Sequence, residues 1–143
     1  MFMFHFELQK RFHGQKTKSD RPMKNPLADQ IEDRLIDFGA QIILLSGKLP
    51  LSQAARHIAQ QMLRSGTAPA PNYGEARGAE SRADFVHNLD IALKELNETK
   101  IWLKKIIRAQ LAPAEAVSLT LNECQQLARM LNASVQTARR RTA

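Results

Sequence analysis

The side chains of this chain best suited to nucleophilic or metal chemistry are Cys124 and four histidines, His5, His13, His57 and His87. Their spacing supports neither role. No two histidines stand four apart on a helix face, and Cys124 has no cysteine or histidine at ligand spacing. No metal or cofactor is expected. Cys124 falls on an apolar helical stripe, which makes it a small buried hydrophobe rather than a nucleophile. GEARG at 74–78 lacks the lysine and the preceding strand of a phosphate-binding loop. Charged groups do pair by spacing: Glu80 with Asp84 at four residues, and Asp90 with Lys94 at four. Paired carboxylates serve acid–base catalysis, but on a charge-dense helix they read as a solvated face laced with ion pairs. No catalytic residue is assigned, and the chain is expected not to be an enzyme.

The remaining chemistry is cationic. The net charge is +7. Residues 1–24 carry Lys10, Arg11, Lys16, Lys18, Arg21 and Lys24 against Glu7 and Asp20, and the end carries Arg139, Arg140 and Arg141. These two tails account for the whole excess, so the body, 25–138, is neutral. Basic tails either contact a polyanion or keep a protein in solution. Near the end of the longest helical stretch, Lys100, Lys104, Lys105 and Arg108 gather as well. Arg64 and Arg77 flank a proline joint with Tyr73 and Glu75 between them. That cluster reads either as a polar network fastening the joint or as an anion contact with Tyr73 as a stacking face.

The elements that must position these residues are helices. Leu27, Ile31, Leu35, Phe38, Ile42, Leu45 and Leu49 alternate steps of four and three, which predicts a helix from Pro26 to about Lys48. Leu51, Ala55, Ile58, Met62 and Ser65 predict a second, kinked or broken near Pro69 and Pro71 because proline donates no backbone hydrogen bond. Phe85, Leu89, Ala92, Leu96, Thr99, Leu103 and Ile106 predict a third from about Ala79 to Gln110, roughly 45 Å long at 1.5 Å per residue. Val117, Leu121, Cys124, Ala128, Leu131, Val135 and Ala138 predict a fourth that opens at Pro113. No alternating apolar run competes. The fold class is therefore all-α, an antiparallel up-down-up-down four-helix bundle over 25–138. Residues 1–24 read as a disordered basic extension and 139–143 as a basic tail. No apolar run reaches membrane-spanning length, and the start lacks the charge order and cleavage site of a signal peptide, so the expected location is the cytoplasm.

Two helices carry more apolar surface than one bundle stripe needs. Ile36 and Ile43, with Gly39 and Ala40 beside them, lie off the stripe of the first helix. Ile91 and Ile101 lie off that of the third, with Trp102 at its edge. Such an outer strip marks an interface, here with further copies of the chain.

RSGT (64–67), NYGEA (72–76), AESRADFVHNLDIALKELNET (79–99) and Trp102 resemble the signature of the bacterial four-helix-bundle proteins encoded in intervening sequences of 23S ribosomal RNA genes. The resemblance spans about residues 27–140. It departs at Pro69 and Pro71, where the family carries small non-proline residues, and in the N-terminal extension. The resemblance implies a cytosolic bundle that assembles into a ring, typically a pentamer. It is also similar to the accessory variability determinant of diversity-generating retroelements, which implies a basic barrel that binds nucleic acid and a reverse transcriptase. Five-fold symmetry multiplies every phosphate contact that one copy can make.

The expectation is thus a non-enzymatic, ring-like homo-oligomer that binds nucleic acid, RNA in particular, without sequence preference. Its contacts are assigned to Arg64, Arg77, Lys100, Lys104, Lys105, Arg108, Arg139, Arg140 and Arg141. The alternative is a protein-interaction scaffold or an accessory subunit, for example of a reverse transcriptase, with no nucleic-acid role of its own.

Overall fold

The computed structural model describes residues 25–141, all helix and short connection. In chain order they form α1 (Pro26–Lys48), α2 (Gln53–Thr67), α3 (Pro69–Arg77), α4 (Arg82–Arg108) and α5 (Ala114–Arg140). The basic extension read for residues 1–24 lies outside the described residues. No described helix is long and apolar enough to cross a membrane.

Capping sets the starts. The side chains of Asn25, Ser52 and Ser81 accept the backbone N–H of Ala28, Ala55 and Asp84, each satisfying one orphan donor, worth about 1 kcal/mol per cap. The Ser52 and Ser81 caps move α2 and α4 two or three residues later than periodicity alone predicts. Leu51 is thereby left outside its helix and 79% exposed, not on the stripe. Leu27, at the open end of α1, is likewise exposed rather than core. α4 closes earlier than predicted. Gln110 takes a left-handed φ of 55°, and the N–H groups of Gln110 and Leu111 return to the carbonyls of Ile107 and Ile106. This Schellman closure stops the helix at Arg108.

The predicted second helix is α2 and α3 together. Pro69 and Pro71 remove the donors that would reach back four residues, yet Ala68 between the segments stays helical at φ −75°, ψ −33°. Asn72 then bonds the Ala68 carbonyl twice, by its backbone N–H at 3.2 Å and its side-chain Nδ2 at 2.9 Å. The break is a bend with no loop.

Around the bundle the order is α1, α2 with α3, α4, α5; α1 and α4 are diagonal. The core takes Leu35, Phe38 and Ile42 from α1, Met62 from α2, Leu89, Leu96 and Leu103 from α4, and Leu127 and Leu131 from α5. The α5 stripe is broader than predicted: Thr120 and Leu127 are buried, while Leu121 and Ala128 are only partly so.

At its last turn α2 lies hard against α1. A β-carbon on Gly66 would stand 2.8 Å from two side-chain carbons of Ile42, closer than real contacts allow. One residue earlier, the buried hydroxyls of Ser65 and Thr99 are hydrogen-bonded at 2.8 Å, tying α2 to α4.

Glycine inside a helix ordinarily costs about 1 kcal/mol against alanine. At Gly66 the overpacking term, about 1–3 kcal/mol, should win. Gly66→Ala is expected to lower the denaturant midpoint. In an Ile42→Ala background, which removes both carbons at 2.8 Å and leaves the β-carbon at 3.2 Å, the same change should cost markedly less. Equal penalties in both backgrounds would contradict this packing.

Candidate nucleic-acid interface

The cations assigned from sequence divide into two groups. The arginines flanking the joint are held by carboxylates. Arg64, on the last turn of α2, reaches Glu95 at 3.3 Å and pairs closely with Glu98 on α4. Arg77, at the end of α3, reaches Asp29 at 2.6 Å and pairs closely with Glu32 on α1. The arginine at 139 contacts Asp90 at 2.8 Å, tying the end of α5 to the start of α4. A fourth pair was not foreseen. Arg34 forks onto both oxygens of Glu123 at 2.9 Å each and touches Gln126 and the Met130 sulfur, closing α1 onto α5. Arg64 and Arg77 thus fasten helices. Their charges are largely cancelled locally by these partners.

Glu98 has a second partner. The Trp102 indole N–H donates to Glu98 Oε1 at 3.2 Å. The Arg64 guanidinium first, then the indole, hold the Glu98 carboxyl below the usual range. His57 meets Trp102 edge-on with ring centroids 6.1 Å apart, and Lys105 Nζ lies 4.2 Å from the ring centre. Trp102 is therefore half-buried and engaged within its own chain.

The lysines behave differently. Among the described residues, Lys100, Lys104, Lys105 and Arg108 make no carboxylate ion pair. The antiparallel path brings the ends of α1 and α4 and the starts of α2 and α5 to one end of the bundle. Lys48, Arg56, Lys104, Lys105 and Arg108 gather there against Glu115 alone. Asp29, Glu32, Asp33, Glu75, Glu80 and Asp84 lie at the other end with Arg77 and Arg82. The body that is neutral in sum is polarised along its axis. Arg139, Arg140 and Arg141 end α5 at the acidic end, so the residues assigned as one contact surface sit at both extremes of the bundle.

The proposed outer strip also divides. Ile36 and Ile43 are 51% and 54% exposed beside exposed Ala40, and Leu44 joins them. Ile101 is 47% exposed, but on α4, diagonal to α1, so it faces the opposite way. Ile91 is half-buried. Gly39 is not on the outer face at all: it is buried, and a β-carbon there would meet the Gly66 carbonyl oxygen at 3.7 Å. The first helix and the third therefore present two separate faces, not one strip.

Cys124 is buried, donates to the Leu96 carbonyl at 3.2 Å, and its thiol pKa is pushed up to about 12 by burial. Among the described residues no three His, Cys, Asp or Glu side chains are grouped to hold a metal.

Sequence reading passed over Arg129, which stands beside Lys100 along the α4–α5 seam. The available signal was a missing one. From Glu123 to the end of the chain there is no further acidic residue, while Arg129, Arg139, Arg140 and Arg141 follow.

Known proteins share this sequence and this geometry. The family model described as 23S rRNA-intervening sequence protein matches residues 30–133. A crystal structure of a protein of unknown function from the S23 ribosomal protein family of Bacteroides thetaiotaomicron VPI-5482 is 35% identical. The match covers 73% of this chain and 97% of that one, with a TM-score of 0.69. No curated protein matches.

Two outcomes check the site chemistry. A carboxyl held low in the folded state adds stability above its unfolded pKa of about 4.3, which is lost as pH falls through the folded value. Glu98→Gln should therefore be less stable than the parent near neutral pH, with the gap closing as pH falls below about 4.3; a gap constant with pH would refute the assignment. Cys124 should resist thiol reagents in the native protein and react on unfolding, as read by absorbance of the released thiolate; rapid native labelling would contradict its burial.

Proposed function

Because this chain belongs to the 23S rRNA-intervening sequence protein family, we propose that it is a non-enzymatic, self-associating protein that binds RNA through phosphate contacts without reading sequence. The observation that carries this reading is the polarised charge. One end of the bundle presents Lys48, Arg56, Lys104, Lys105 and Arg108 against the single carboxylate of Glu115. Lysine is a hydrated point charge on a flexible stem, suited to phosphates in many geometries and poor at selecting one base. No groove-reading element of the usual kinds is presented by the described residues, so the contact is electrostatic.

Exposed apolar surface supports the self-associating part of this reading. Ile36, Ile43 and Leu44 on α1 and Ile101 on α4 are exposed apolar side chains on opposite faces. Two different patches on one subunit favour a head-to-tail contact, which closes as a ring when the rotation permits. A ring of five, as the family resemblance implies, repeats the basic end five times on one particle and multiplies phosphate contacts accordingly.

Light scattering is expected to give about five times the 16.1 kDa chain mass. Binding of a labelled RNA should fall steeply as salt rises from 50 to 200 mM, alike for unrelated sequences. A confirmed oligomer that holds no RNA even at low salt would sink the nucleic-acid reading and leave the scaffold.

A further inference from the structure

α4 and α5 are the most extensively paired helices of the bundle. Along the outer side of their seam runs an open groove of about 420 Å³. Its floor is Leu93 and Ala128, and its walls are Asn97 and Lys100 from α4 and Gln125, Arg129 and Asn132 from α5. The groove exists because a small residue, Ala128, stands where the flanking positions carry long polar side chains.

Two cations and three carboxamides line it, and no carboxylate does. Lys100 is half-buried, close enough for its charge to act on the Cys124 thiol across the seam. Arg129 is exposed. Among the described residues neither makes an ion pair, in contrast to Arg34, Arg64, Arg77 and Arg139, whose carboxylate partners are in place.

The direction of the groove matters more than its volume. On α4 its face continues from Asn97 and Lys100 at helical spacing to Lys104, into the basic end. On α5 it continues from Arg129 and Asn132 through Gln136 toward Arg140 at the opposite end. The acids met on this path are Asp90, which the arginine at 139 already covers, and Glu115 at the basic end. The seam is thus a cationic track, roughly 40 Å long for a 27-residue helix, running from the lysine-rich end to the arginines that close α5.

We propose that this α4–α5 groove seats a single strand of RNA, with Lys100 and Arg129 on phosphates and Asn97, Gln125 and Asn132 on ribose hydroxyls and base edges. The proposal rests on the RNA-binding reading above and assigns the route. Adjacent helix axes lie about 8–10 Å apart, so the seam admits one strand and not a duplex. A carboxamide both donates and accepts, so it can serve any base. No aromatic side chain lines the groove, so stacking adds nothing and base preference is slight.

The test is a salt series with a fluorescein-labelled 20-nucleotide uridine RNA, on full-length parent and Lys100→Gln/Arg129→Gln proteins matched by circular dichroism. The double variant is expected to bind about tenfold more weakly at 0.1 M salt. Its salt slope should be shallower by roughly 1.4, about 0.7 for each single-strand phosphate no longer neutralised. Lys48→Gln/Lys94→Gln removes the same charge away from the groove and should weaken binding much less. Asn132→Asp, which places a carboxylate on the track, should weaken binding more than Asn132→Ala. Equal weakening in the two double variants reduces the effect to net charge and overturns the groove, as does an unchanged slope. A duplex of the same length that is weakened as much as the single strand overturns the strand assignment. Parent protein that binds no RNA at low salt removes the RNA reading itself, which separates the two failures.

Discussion

The crossing of α2 over α1 at Gly66 is the contact on which the rest of this structure depends. Ile42 fills the space that any β-carbon at Gly66 would need, and the Ser65–Thr99 hydrogen bond holds the same turn of α2 against α4. Three helices are thereby fixed at one level. The close approach has a directional consequence. A straight continuation of α2 past Gly66 would carry the chain on along its own axis. The two prolines that follow remove the backbone bonds that would enforce that course, and the bend at Ala68 lets α3 bury Tyr73 and Ala76 against the core. A proline in a straight helix interior costs about 3 kcal/mol; here each stands at or near the start of a new segment, where its missing donor is tolerated. Arg77 then arrives beside Asp29 and Glu32, and the bend is locked at its far end.

The same architecture sorts the cations by chemistry. The four arginines that bridge helices each address carboxylates on another helix, and Arg34 does so as a two-pronged fork on Glu123. A planar guanidinium suits such a fixed geometry. The lysines carry no such duty among the described residues. Exposed ion pairs contribute little to stability one by one, about 0–1 kcal/mol each. Their larger effect is on the field: they cancel the charge of the bridging arginines and leave the lysine-rich end of the bundle to dominate it. From Thr99 onward the chain has eight Lys and Arg residues against Glu115 and Glu123, and Glu123 is taken by Arg34. A body neutral in total is therefore not neutral to an approaching polyanion.

Much of this was legible in the chain itself. Steps of four and three marked Ile31, Leu35, Phe38 and Ile42, and Leu89, Ala92, Leu96 and Leu103, all of which are buried, because a helix that must hide one face repeats it regularly. Pro69 and Pro71 announced the bend. What periodicity does not carry is capping and partnership. Leu51 keeps the spacing but precedes the Ser52 cap, so it is solvent-exposed. Gly39 looked like an outer small residue, and its burial against Gly66 depends on how α2 crosses α1, which no local pattern records. Arg64 and Arg77 could not be told from ligand-binding arginines, because Glu95, Glu98, Asp29 and Glu32 are 31 to 48 residues away in sequence. Arg129 was overlooked for the opposite reason: its significance lies in the carboxylates that are missing around it.

The two exposed apolar faces constrain how these features combine. α1 and α4 stand diagonally, so Ile36 and Ile43 on one and Ile101 on the other look away from each other. A two-fold dimer buries one patch against its own copy and would leave the second face in water. A contact of the α1 face of one copy with the α4 face of the next satisfies both, and it repeats. Such a contact either closes into a ring or runs on as a filament. In a closed ring every copy presents its basic end toward the same side, because all subunits keep one orientation relative to the axis. The like charges so gathered repel one another and cost stability, a cost that a bound polyanion offsets by releasing its counterions.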